Sequence, residues 1–201
     1  LFQAGKIRLM CFDKTGTLTY GRPRLTDQIV VPEIDARHVL ELVASLERYS
    51  KHPLAHAVLA SGEAAGIPLL EVTEISEPPG QGIRGTVGGH SVRIMSRGAL
   101  AQASIQGAER APAHAGGLEC FVVIDDRYSA TYRFRDEPRS EGVSFIKHLN
   151  PRHGFNRLMI VSGDRESEVR YLAEQIGIRE VYAQKTPEEK GKRSEAGTPL
   201  S

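Results

Sequence analysis

An apolar run from Ile7 to Phe12 ends in the string Asp13-Lys14-Thr15-Gly16-Thr17-Leu18-Thr19, and no other stretch of the chain restricts the fold as tightly. Such a run, stopped by a polar turn that contains glycine, reads as a buried strand that terminates at Asp13. The strand fixes the direction of the carboxylate, and the backbone N–H groups of the turn can hold a phosphate, so Asp13 is a candidate nucleophile for phosphoryl transfer. Two residues on stands Thr15. Its hydroxyl cannot serve as a general base near neutral pH, so a phosphate on Asp13 is expected to hydrolyse slowly and to persist long enough to drive another event.

The same pattern recurs late in the chain, where Met159-Ile160-Val161 runs into Ser162-Gly163-Asp164. Glu141 to Leu149 carries apolar residues at Val143, Ile146 and Leu149, and Glu166 to Gly177 carries them at Val169, Leu172, Ala173 and Ile176. Both spacings predict helices, the second capped by Gly177, and Glu180 to Ala183 predicts a further short strand. Strand, helix, strand, helix, strand implies an α/β fold with a doubly wound parallel sheet, whose site lies at the carboxyl ends of the strands. Asp13 and Ser162 both fall there. Residues 24–130 differ in character. Helices are predicted over Asp35 to Leu46 and Pro53 to Ala65, then short strands over 70–75, 82–87, 91–95, 119–124 and 128–133, bounded by Gly, Pro or Asp turns. The expected organisation is a split domain, residues 1–23 and 131–201, with an α+β domain on an antiparallel sheet inserted at 24–130.

Composition sets outer limits. Lys+Arg number 26 against 25 Asp+Glu, a formal net charge of +1, which gives no electrostatic reason to expect a nucleic acid as partner. The two cysteines, Cys11 and Cys120, belong to no C-x-x-C pair and read as buried apolar-like residues. No stretch reaches the roughly 18 apolar residues needed to span a bilayer.

The string Asp13 to Thr19 resembles the phosphorylation motif D-K-T-G-T-[LI]-T of the P-type ATPases, which share a core fold with the haloacid-dehalogenase hydrolases. Five further motifs are similar to those of that family. Ser162-Gly163-Asp164 stands where T-G-D is usual, Pro187-Glu188-Glu189-Lys190 is similar to P-x-x-K, and Asp136-Glu137-Pro138-Arg139 resembles the D-x-x-R hinge segment. Ser50-Lys51-His52-Pro53-Leu54, with Glu47 five residues before His52, is similar to the S-x-H-P-[LI] segment of the heavy-metal-transporting branch. Gly80-Gln81-Gly82-Ile83-Arg84-Gly85 resembles that branch's glycine segment, in which absent side chains let a nucleotide lie against the backbone. Where that branch carries Gly-Asn after the next strand, this chain has Met95-Ser96.

The resemblance implies ATP and Mg²⁺ as cofactors. His52 and Glu47 would contact the nucleotide, Glu47 at the adenine, with Gly80 and Gly82 against it. Asp136, Arg139, Thr15 and Asp164 would complete the ligand contacts. Asp13 would accept the γ-phosphate, Lys190 and Ser162 would stabilise the transferring group, and Asp13 with the Thr15 carbonyl would supply part of the magnesium shell. Asp136 can also be read as a helix cap with Pro138 in the first turn. By the same resemblance the partners are a heavy-metal cation, carried by a transmembrane domain, and the actuator and membrane domains of a pump. The chain is then expected to be an excised cytoplasmic portion of a plasma- or inner-membrane protein. A G-D-G-x-N-D motif, which the family carries after P-x-x-K, does not follow Lys190 here, so such a piece is expected to bind nucleotide without turning it over. Two rival functions stay open at this point: a soluble haloacid-dehalogenase phosphatase, and a non-catalytic nucleotide-binding module.

Overall fold

The structure, a computed structural model, describes residues 9–13, 19–141, 143–144, 157–162, 166–176 and 180–183. In chain order its elements are β1 (Leu9–Asp13), β2 (Thr19–Val30), α1 (Ala36–Glu47), α2 (Ala55–Ala64), β3 (Val72–Ser76), β4 (Ile83–Val87), β5 (His90–Met95), α3 (Arg97–Gln102), β6 (Leu118–Ile124), β7 (Arg127–Pro138), β8 (Arg157–Ser162), α4 (Glu166–Ile176) and β9 (Glu180–Ala183). They divide between two compact units, residues 1–21 with 137–201, and residues 22–136.

In the first unit β1, β8 and β9 form a parallel sheet in the order β1-β8-β9. The register pairs Asp13 with Val161, so Asp13 and Ser162 occupy the carboxyl ends of neighbouring strands. Val169, Leu172, Ala173 and Ile176 of α4 are all buried, as a stripe spaced three and four residues apart requires of a helix that covers a sheet. The predicted helix over 141–149 lies outside the described residues except at its start, where Val143 N donates to the Arg139 carbonyl at 3.0 Å.

The second unit is built on a six-stranded sheet of order β2-β7-β6-β5-β4-β3. Its β3 to β7 pair antiparallel in sequence order, as a meander. Helix α1 begins at Asp35, whose carboxylate accepts from His38 N at 3.1 Å and satisfies one of the helix's free donors. The helix lays Val39, Leu42, Val43 and Leu46, all fully buried, against Ile83, Val92, Ile94 and Val122 of the sheet. Burial of each such side chain contributes about 1.5–3 kcal/mol. The helix comes so close that a Cβ on Gly85 would lie 2.9 Å from Leu46 Cδ1. On the opposite sheet face a smaller cluster forms from Met95, Leu100, Phe121, Val123 and Tyr128, with α3 lying over it.

One sequence reading changes here. Asp136 does not cap a helix: it lies within β7, which runs on through Pro138, and its Oδ1 accepts from Arg22 N at 3.0 Å. Strand pairing has taken both its backbone and its side chain, and helical structure starts only at Ser140. His52 lies in the turn that precedes α2, which begins at Ala55.

Candidate nucleotide cavity and phosphoryl-acceptor strand ends

One cavity of about 550 Å³ in the second unit gathers Glu47, His52, Gly80 and Gly82. Three separate segments deliver them. Glu47 ends α1, His52 sits in the turn between α1 and α2, and the two glycines lead into β4.

The 50–54 turn is held from within and from across the unit. Ser50 Oγ donates to Glu77 Oε1 at 2.6 Å and Lys51 N donates to Glu77 Oε2 at 3.0 Å. His52 N donates to Ser50 Oγ at 3.0 Å, and Leu54 N donates to His52 Nδ1 at 3.2 Å. Because Nδ1 accepts, the neutral ring carries its proton on Nε2 and offers it as a donor. The hydrogen bond from Ser50 holds the Glu77 carboxyl below its ordinary range, so this anchor is ionised near neutral pH.

Glu47 behaves in the opposite way. It is 5% exposed, and its Oε2 has no hydrogen-bond partner among the described residues. Burial raises its pKa from 4.5 to about 7, and the charge on Glu77 adds to the rise. Ser50 pulls downward, but its single hydroxyl proton is already given to Glu77. Near pH 7 the side chain therefore populates a neutral form, which presents an O–H donor beside a carbonyl acceptor.

Gly82 has φ of +77°, and a Cβ there would fall 1.9 Å from the Ile94 carbonyl oxygen. Both conformation and space demand glycine. Gly80 has φ of +74° with open space around its Cα, so conformation alone selects it. The segment thus runs as bare backbone along the cavity.

Sequence reasoning missed the other carboxylates of the cavity, Glu77 and Glu119. Glu119 Oε1 takes Arg97 Nε at 2.7 Å and His114 Nδ1 at 3.0 Å. Burial pushes its pKa up, but the hydrogen bond and charge of Arg97 outweigh that and hold it low. Neither glutamate belongs to a local motif, and their partners stand 5 to 27 residues away. Cys120 is buried at the same cavity, its thiol pKa pushed well up by burial and by the carboxylates of Glu47 and Glu119. Met95 is buried beneath α3, and Ser96 Oγ accepts from Ala99 N at 3.2 Å, so this pair serves as core and helix cap.

Of the remaining sequence candidates, Asp13 and Ser162 end β1 and β8 as described. Arg139 places its guanidinium 5.4 Å from the Tyr20 ring centroid, and Asp136 is fixed by Arg22. Thr15, Asp164 and Lys190 lie outside the described residues.

A parallel sheet that presents an aspartate at the carboxyl end of its first strand, in a chain interrupted by a second unit, matches the haloacid dehalogenase-like hydrolase family over residues 7–195, and the chain belongs to that family. Its curated homologues are copper- and zinc-transporting P-type ATPases. Copper-transporting ATPase 1 of Rhizobium meliloti is 34% identical over 189 residues, covering 90% of this chain and 22% of that protein. The zinc-exporting P-type ATPase of Mycobacterium marinum is 32% identical over 197 residues, 94% of this chain and 27% of that one. The chain thus spans about a quarter of the length of these relatives. Among solved structures, a zinc-transporting PIB-type ATPase in its E2.Pi state superposes with a TM-score of 0.74 at 28% identity, over 92% of this chain and 30% of that one. The catalytic domain of the CPx-ATPase CopB-B, solved for its conformational changes upon nucleotide binding, superposes at 0.63 with 29% identity, over 94% and 66%.

Proposed function

We propose that this chain is the ATP-binding and phosphoryl-accepting portion of an ATP-driven heavy-metal cation transporter, acting on the cytoplasmic side of a membrane together with actuator and transmembrane domains. The observation that carries this reading is the convergence of Glu47, His52, Gly80 and Gly82 on one cavity, in a chain whose homologues are metal-transporting ATPases. Residues 22–136 bind the nucleotide, and residues 1–21 with 137–201 receive its phosphate.

Adenine presents a ring acceptor, N1, beside an amino donor, N6–H. A neutral Glu47 carboxyl offers the complementary pair in one plane, while the bare Gly80–Gly82 backbone lets the ligand approach closely. His52 adds a donor from Nε2. The Asp13 carboxylate then attacks the γ-phosphorus, the bond to the bridging oxygen breaks, and ADP departs with the electron pair. Ser162 donates to a phosphoryl oxygen and Lys190 opposes the charge that spreads over the group. Asp136 and Arg139 help to order the nucleotide, and Thr15 and Asp164 complete the shell. The donor set suits a hard cation: Asp13 and the Thr15 carbonyl offer oxygen ligands for Mg²⁺, which when bound neutralises charge on the phosphoryl oxygens. With threonine rather than a second aspartate at position 15, the acyl phosphate outlasts the transfer step, which favours a transporter over a phosphatase.

The test is covalent labelling. In the full-length protein ATP leaves an acid-stable, hydroxylamine-labile phosphate, since hydroxylamine attacks an acyl phosphate and not a phosphoserine. Asp13→Asn abolishes the label while ATP still binds, with a dissociation constant between tens of micromolar and millimolar, about 4–6 kcal/mol. Undiminished label in Asp13→Asn rejects the assignment.

A further inference from the structure

A second cavity, of about 520 Å³, adjoins the first across the Gly80–Gly82 segment and shares Gly80, Gly82, Met95 and Ser96 with it. The two differ sharply in charge. Glu77 and Glu119, both held ionised, line the first beside Glu47, with Lys51 as its lysine. No carboxylate lines the second, which carries Arg84 and Arg93. These arginines stand directly opposite each other on β4 and β5, and so project from the same sheet face.

Like charges set opposite across an antiparallel pair repel each other. Little nearby relieves them. Among the described residues the Arg93 side chain reaches Asp126 alone, at 3.5 Å and 81% exposed, a pair that water screens and another anion can replace. Arg84 is exposed, and its side chain makes no hydrogen bond or ion pair among the described residues. Two guanidinium forks side by side match the oxygens of a polyphosphate, which each can take bidentately.

We infer that the Arg84–Arg93 pair is the seat of the nucleotide's phosphate tail, which crosses the Gly80–Gly82 backbone from the base-binding cavity into the arginine-lined one. This rests on the reading of the first cavity as a nucleotide site. A triphosphate cannot settle among ionised carboxylates, and the glycine segment is the border at which the sign of the surroundings changes. Arg84 and Arg93 are then binding residues that select nucleotides by phosphate number and leave base recognition to Glu47 and His52.

The experiment measures adenosine, AMP, ADP and ATP binding to the whole chain by calorimetry, for the native protein, Arg84→Gln/Arg93→Gln and Glu47→Ala. The expected result is a graded loss in the double variant: adenosine unchanged, and ATP weakened by about tenfold or more, the size of lost charge-assisted hydrogen bonds. Glu47→Ala weakens all four ligands alike. Arg84→Lys keeps the charge without the fork and falls between native and double variant. If the double variant does not melt cooperatively, Arg84→Gln alone, at an exposed position, is read in its place. An unchanged ATP affinity in the arginine variants, alongside the loss in Glu47→Ala, overturns the inference and leaves the nucleotide site standing. Equal losses for ATP and adenosine also overturn it. Absence of any nucleotide binding to the native chain removes both readings.

Discussion

The two units place their chemistry by different means. In the parallel unit each candidate side chain sits where a strand stops, so a few consecutive residues fix both the element and the position of the group: Asp13 after Leu9–Phe12, Ser162 after Arg157–Val161. In the antiparallel unit the cavity is assembled from α1, the turn after it, the lead into β4 and the strand β6, and hydrogen bonds that span 22 to 27 residues tie the turn to Glu77 and β6 to Arg97 of α3. Reactive chemistry can be written locally, because one oriented atom suffices. A binding cavity needs walls, and walls come from distant segments.

If that contrast is right, the antiparallel site should fail when long-range packing is disturbed, even with every ligand-facing group intact. Gly82→Val is the harshest case. Its branched side chain would have to occupy the space of the Ile94 carbonyl at a φ of +77°, so a stability loss of about 4 kcal/mol or more is expected, with loss of nucleotide binding. Thermal unfolding and calorimetry read both. A variant that keeps native stability and affinity would break the comparison, since the glycine would then matter only as a local signature.

A smaller effect tests the buried carboxyl. With a folded pKa of about 7 against 4.5, the folded state holds a proton that the unfolded state has released. Stability is therefore highest below pH 4.5 as far as this group is concerned, falls between pH 4.5 and 7, and is level above that, a change of about 3 kcal/mol. Glu47→Gln keeps a donor and an acceptor and never ionises, so it should flatten that decline and gain stability at pH 8. It should also hold nucleotide affinity constant through pH 7, where the native protein weakens. Denaturant unfolding and binding at pH 5, 6, 7 and 8 check both, and parallel curves for the two proteins would refute the buried-carboxyl account.

The smallest expected effect is local. Asp35→Ala removes the cap of α1 and should cost about 1 kcal/mol without altering affinity at saturating nucleotide. A larger loss of affinity than of stability would show that the start of α1 communicates with Glu47 at its other end.

Legibility from sequence follows the same division. In the parallel unit the apolar stripe of α4 and the strand Glu180–Ala183 were readable because period and boundary residues lie side by side in the chain. In the other unit α1, α2 and the strands β3 to β7 were also readable, to within a residue or two at most ends, whereas the short helix α3 was not. Strand β2 was not: Thr19–Val30 is largely exposed and contains Gly21 and Pro23, so neither alternation nor composition marks it, and pairing with β7 alone makes it a strand. The same pairing carried β7 through Asp136 and Pro138, against local residues that favour a helix start. Glu47, His52, Gly80 and Gly82 were singled out by motifs, and the structure gathers them at one cavity. The carboxylates Glu77 and Glu119, and the arginine pair, came into view only once register and packing were known.

One buried group touches on what the relatives transport. Copper and zinc seek thiolates, and a thiol must shed its proton before it can ligate them. Cys120 keeps its proton, because burial and two flanking carboxylates oppose the charge it would acquire. Cys120 therefore lines the candidate nucleotide cavity as a neutral thiol rather than as a thiolate.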